Sequence, residues 1–140
     1  MQQQISVVTL GVGDLQVSKR FYAEGFGWAP IFDNGEIAFY QMNGFVLGTW
    51  LRRELEADMQ RASAPGSGAI ALAHNVESAE DVTRLIERLV SSGGVLLRAP
   101  DAPAHGGFRG YAADPDGHAW EIAWNPAWHI DEHGHVIFGV

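Results

Sequence analysis

The sequence predicts an α+β fold of two βαβββ modules whose strands make a curved mixed sheet around a cleft. Three observations carry this expectation. Residues 5–50 read as strand, helix and three strands. Residues 69–124 repeat that order. The ends of the two halves also match, with Asn43-Gly44 leading into Phe45–Trp50 and Asp116-Gly117 into His118–Trp124.

The elements follow in order. Ile5–Val12 is rich in β-branched residues and reads as a strand. Asp14 stands at an N-cap position, with Leu15, Ser18, Phe21 and Tyr22 behind it at helical spacing. Gly25 and Gly27 are expected to stop that helix. Trp28–Phe32, Glu36–Gln41 and Phe45–Trp50 read as short strands separated by Asp33-Asn34-Gly35 and Asn43-Gly44. Leu51–Gln60 reads as a short helix with Arg52 and Glu56 spaced for an i,i+4 pair, and Ala62–Gly68 as a linker.

The second module opens with the strand Ala69–Val76. Ser78 and Asp81 resemble a capping box for a helix striped by Val82, Leu85, Ile86, Leu89 and Val90, which Gly93-Gly94 ends. Val95–Arg98, Phe108–Ala113 and Ala119–Trp124 complete three more strands, with a Pro- and Gly-rich loop over Ala99–Gly107. The reading is one domain over 1–140: module one at 5–50, helix and linker at 51–68, module two at 69–124, and a tail at 125–140.

Composition excludes several functions. The 140 residues carry a net charge of −8, which disfavours nucleic acid and anionic membrane surfaces as partners. With no cysteine there is neither a disulfide, a thiolate metal site nor a cysteine nucleophile. At 46% apolar and 11% aromatic residues the chain can bury a core. No basic leader with an apolar stretch opens the sequence and no apolar run approaches a membrane span, so a cytoplasmic protein is expected.

Glu121 is the sharpest candidate for chemistry. Alternation puts Ala119, Glu121 and Ala123 on one strand face and Trp120, Ile122 and Trp124 on the other. A carboxylate between two alanines suits a cavity, where it would act as ligand, base or hydrogen-bond acceptor, with the raised pKa a general base needs. On an open face it would be an ordinary solvated side chain. Arg109 and His105 flank the Gly-rich segment Ala104–Gly110, where Arg109 can clamp an anionic group and the loop can move as a lid. A flexible hairpin connection is the plain alternative. Trp50 shares the parity of Gly48 and can line the pocket, and Tyr111 is a further candidate substrate contact.

Other motifs point to structure. His129, His133 and His135 crowd the tail, but Glu-His-Gly-His reads as a polar hairpin turn before Val136–Phe138. His74 shares a face with Leu72 as a half-buried histidine, and His118, right after a turn, is expected at the surface. Gly11-Val12-Gly13-Asp14 lacks the third glycine of a dinucleotide fingerprint. Asp114-Pro115-Asp116-Gly117 lacks the downstream oxygens of a calcium loop and reads as a rigid turn.

These residues also carry a family resemblance. Val7–Leu15 with Ser18, Phe21 and Tyr22 is similar to the opening pattern of the vicinal oxygen chelate superfamily, a strand followed by D-L-x-x-S-x-x-F-Y. Gly110–Glu121 is similar to its closing pattern, D-P-D-G-x-x-x-E. The group includes glyoxalase I, bleomycin-resistance proteins, extradiol dioxygenases and fosfomycin-resistance enzymes. The resemblance implies paired βαβββ modules forming an open barrel, commonly assembled as a homodimer. Metal-dependent members place ligands on the first and last strand of each module. Carried over, those positions hold Val7, Gly48, Ala71 and Glu121, so Glu121 alone matches and a divalent metal is disfavoured.

The expectation is therefore a small-molecule-binding protein of this group without the usual metal site. The alternative is a glyoxalase-like lyase or isomerase with Glu121 as proton-transfer base and Arg109 or His105 holding substrate.

Overall fold

In the computed structural model, residues 1–63 and 68–139 are described; residues 64–67, in the middle of the expected linker, lie outside them. The first module runs β1 (Val7–Val12), α1 (Leu15–Phe21), a π-helical turn over Tyr22–Phe26, β2 (Phe32–Asp33), β3 (Ile37–Gln41) and β4 (Val46–Leu51). Helix α2 (Arg52–Met59) follows. The second module runs β5 (Leu72–Asn75), α3 (Ala79–Ser91), β6 (Val95–Asp101), β7 (Phe108–Ala113) and β8 (Ala119–Trp124). A tail hairpin, β9 (His129–Ile130) and β10 (Val136–Ile137), ends it.

The duplication holds at the level of topology. The two four-stranded sheets have the orders β1-β4-β3-β2 and β5-β8-β7-β6, so each module's first strand lies parallel to its last. The eight module strands form two sheets rather than one, and among the described residues β1 and β5 have no strand on their outer edges. The modules meet instead through side chains, which is why the barrel stays open.

Local chemistry explains the elements. Asp14 Oδ1 accepts from the N–H groups of Gln16 and Val17 at 2.9 and 3.1 Å, capping α1. Asp14→Ala is expected to cost about 1 kcal/mol, read as a lower urea midpoint with unchanged slope. The helix continues past Gly25 as a π turn, with Gly25 close against Leu89, and it stops at Gly27 with φ +77°. Ser78 Oγ accepts from the Asp81 N–H at 3.1 Å and donates to the Asp81 carboxylate at 2.7 Å.

Three expectations need correction. Trp28–Phe32 is mostly irregular; Pro30 lacks a donor, and pairing starts only at Phe32. Strand β6 runs on to Asp101, with register shifts between Leu96 and Arg98 and again before Asp101. Helix α2 has no buried residue, and Arg53 rather than Arg52 finds an acidic partner, Glu54 at 3.6 Å.

One core spans both modules, with Leu10, Val12, Phe21 and Tyr22 from the first clustered with Ile86, Leu89, Trp120 and Ile122 from the second. Tyr22 donates to Asp114 Oδ2 at 2.6 Å and accepts from Trp120 Nε1 at 3.1 Å. Asp114 Oδ1 takes the N–H groups of Asp116 and His118, both at 2.9 Å. His118 is half-buried rather than superficial, and its Nε2 lies 2.7 Å from the Gly11 carbonyl. The Asp114–Gly117 turn is thus a clasp between modules. Gly13 N–H closes it by donating to Asp116 Oδ1 at 2.7 Å.

Candidate functional site

Both sheets turn the helix-covered face toward the shared core, so their other faces point outward. On β8 the core side takes Trp120 and Ile122, which leaves Ala119 and Glu121 on the outer face. Glu121 has Tyr111 as its β7 partner and Ala73 as its β5 partner. The Tyr111 hydroxyl donates to Glu121 Oε2 at 2.8 Å. That bond raises the Tyr111 pKa, because ionising the phenol would leave two anions in contact. Glu121 is half-buried.

The same face carries guanidinium groups. Arg98 is the β6 partner of Tyr111, and Arg109 lies two residues along β7. Both bind Asp101, Arg98 at 2.9 Å and Arg109 through Nη1. Hydrogen bonds from Arg98 hold the exposed Asp101 carboxyl below the usual carboxylate range. The second module's outer face is therefore a polar platform: a phenol–carboxylate pair beside two positioned cations, on a floor of small side chains.

The first module's outer face differs. The Phe39 ring covers Gly48, where an added Cβ would lie 3.2 Å from it, with Thr9 Oγ1 at 3.5 Å. Trp50 shares this face, paired with Ile37 and Gly11. Phe32 packs on Phe39 with ring centres 5.8 Å apart.

Of the five residues the sequence singles out, Glu121, Tyr111 and Arg109 thus share one face. Trp50 lies on the other sheet. His105 is exposed in the 102–107 loop, where Gly106 N–H donates to the Pro103 carbonyl at 3.1 Å. Sequence reasoning passed over Arg98 and Asp101, because the shifts in β6 spoil the alternation that would have aligned them with Tyr111.

Residues 4–122 match the family model for the Glyoxalase/Bleomycin resistance protein/Dioxygenase superfamily. The chain belongs to this superfamily. It is 60% identical to a glyoxalase-related enzyme from Fulvimarina pelagi, covering 99% of this chain and 100% of that one with a TM-score of 0.96. It also resembles a glyoxalase/bleomycin resistance protein from Albidiferax ferrireducens T118, at 25% identity, coverage of 87% and 98%, and TM-score 0.69. A lactoylglutathione lyase from Agrobacterium tumefaciens shares the fold at 19% identity, coverage of 89% and 95%, and TM-score 0.65.

The superfamily's divalent cation does not fit the residues present. The register makes Thr9 the partner of Gly48 and Ala73 the partner of Glu121, with Val7 two residues before Thr9 and Ala71 two before Ala73. None of these side chains is a carboxylate or imidazole except Glu121, and Phe39 fills the space above Gly48. Among the described residues no group of three His, Cys, Asp or Glu could hold a metal ion. His74, the nearest candidate substitute in sequence, turns to the core side against Phe26 and Trp28. The tail histidines cap a hairpin, where Asp131 Oδ1 accepts from the N–H groups of His133 and His135 at 2.9 and 2.8 Å. No helix among the described residues is long and apolar enough to cross a membrane.

Proposed function

We propose that the protein binds a small organic molecule against the outer face of its second sheet, without the superfamily's metal. The observation that carries this reading is the Tyr111–Glu121 pair on a floor that includes Ala73 and Ala119. Glu121 supplies a hydrogen-bond acceptor, Tyr111 fixes its orientation, and Arg109 and Arg98 attract the anionic or carbonyl end of the ligand. A flat face does not by itself enclose a ligand, and the first module offers an apolar cover in Phe39, Phe32 and Trp50. The natural assembly is a homodimer in which one protomer's aromatic face closes over its partner's polar one.

The competing reading is a glyoxalase-like isomerase, favoured by 60% identity to a chain described as a glyoxalase-related enzyme. There Glu121 would take a proton from carbon beside a carbonyl and return it to the neighbouring carbon, with Arg109 steadying the developing oxyanion. The two readings part on turnover. The protein is expected to leave the hemithioacetal of methylglyoxal and glutathione at its uncatalysed rate. Elemental analysis after incubation with Ni²⁺ or Zn²⁺ is expected to find no stoichiometric metal. Turnover that Glu121→Gln abolishes while Tyr111→Phe reduces it would establish the enzyme instead. Light scattering is expected to give twice the 15.2 kDa chain mass; a monomer would remove the closing partner.

A further inference from the structure

Between the outer edges of β1 and β5 is a cleft of about 1030 Å³, and neither Glu121, Tyr111, Arg109 nor Trp50 lines it. Its apolar wall is made by Trp28 and Trp120, with Leu47, Leu72 and Met42 beside them. Trp28 is stacked on Phe26, ring centres 4.2 Å apart at 15°, and stands edge-on to Trp120 and His74. That packing fixes a half-exposed indole before any ligand arrives.

The polar side chains of the cleft are five carboxamides and one imidazole. In a chain with 26 charged side chains, 9 basic and 17 acidic, none of the cleft's lining residues among those described is Asp, Glu, Lys or Arg. Five carry carboxamides: Gln3, Gln4, Gln41, Asn43 and Asn75. Gln41 Nε2 donates to the Met42 and Phe45 carbonyls at 2.9 and 3.3 Å, and Asn43 Nδ2 to the His133 carbonyl at 3.1 Å. Both amide nitrogens are thereby engaged, and the amide oxygens remain as acceptors. His74 adds an imidazole whose burial lowers its pKa, keeping it neutral.

We propose that this cleft binds an uncharged, planar aromatic molecule bearing hydroxyl or N–H donors, held by the Trp28–Trp120 wall and by the side-chain oxygens of Gln41 and Asn43. A charged ligand would lose hydration here and meet no counter-charge, so the cleft discriminates by charge. This site shares only Ala73 with the one around Glu121, and either proposal can stand without the other.

The test uses three probes with one ring system: 2-naphthol, 2-naphthoate and 2-naphthyltrimethylammonium. Titration calorimetry and the indole N–H resonances of the full chain read binding and its place. Naphthol is expected to bind at least tenfold more tightly than either ion and to shift the Trp28 indole resonance, assigned through Trp28→Phe. Asn43→Ala, at an exposed turn, is expected to weaken naphthol about fivefold, and Trp28→Ala more than tenfold. Glu121→Gln is expected to leave naphthol binding unchanged. The proposal is overturned if naphthol does not bind, if an ion binds as tightly, if Asn43→Ala has no effect, or if binding is lost with Glu121→Gln instead. Silence of all three probes would mean that another part of the assembly, such as a second copy, covers the cleft, which also overturns it.

Discussion

Alanine at Asp114 is expected to cost about 3 kcal/mol of stability, enough to lower the urea midpoint sharply. The carboxylate accepts three hydrogen bonds, from Tyr22 and from the Asp116 and His118 N–H groups, and is 1% exposed. Its loss would strand a buried phenol donor at the junction of the modules. Asp114→Asn keeps the acceptor for the two backbone N–H groups and is expected to lose roughly half as much. The pH dependence has a definite sign. Burial raises the Asp114 pKa above the ordinary carboxylate value despite the Tyr22 bond. A raised native pKa means the native state holds the proton more tightly than the unfolded chain does. The stability this group contributes is full below the unfolded-state pKa and is lost as pH rises through the raised native one. The margin by which wild type exceeds Asp114→Asn should therefore be widest in acid and narrow as pH climbs through that window. A margin that widens instead would mean the carboxylate is stabilised as an anion.

Gly94→Ala is the second large effect, about 3 kcal/mol or more. A Cβ there would lie 2.7 Å from the Ala113 carbonyl, 2.8 Å from the Leu89 carbonyl and 2.9 Å from the Phe21 ring. The two oxygens belong to backbone held by α3 and β7, so neither can withdraw cheaply. The adjacent Gly93 makes the comparison. It has φ +106° and open space around it, so Gly93→Ala costs only backbone strain of about 1–2 kcal/mol. Thermal unfolding of the pair should rank Gly94→Ala well below Gly93→Ala. Equal losses would mean that β7 gives way.

The fold was legible wherever short-range chemistry fixes an element's ends. Strands β7 and β8 begin and end where alternation and the Asp-Pro-Asp-Gly turn put them. Helix α1 starts where Asp14 can cap it. Trp28–Phe32 misled because aromatic and β-branched residues outweighed one proline. The parity of Glu121 was readable from its alanine neighbours, but its tie to Tyr111 needs the β7–β8 register. A cleft between the halves was expected from the duplication, but its lining was not legible. Its lining comes from the N-terminal residues, Trp28, the β3–β4 turn, β5, Trp120 and the tail. Nothing local to any of these segments announces that they converge.

The strand order also governs how the chain assembles in time. Val7 pairs with Val46 and Leu72 with Trp120, so each sheet must wait for its last strand before its first has a partner. Tyr22 meets Asp114 across 92 residues. On a ribosome the first module would finish its sheet while the aromatic side reserved for Trp120 still faced water. Slowing translation after Leu51 should therefore lower soluble yield more than slowing it before Val46, because the pause would prolong the life of a half-molecule with an uncovered aromatic face.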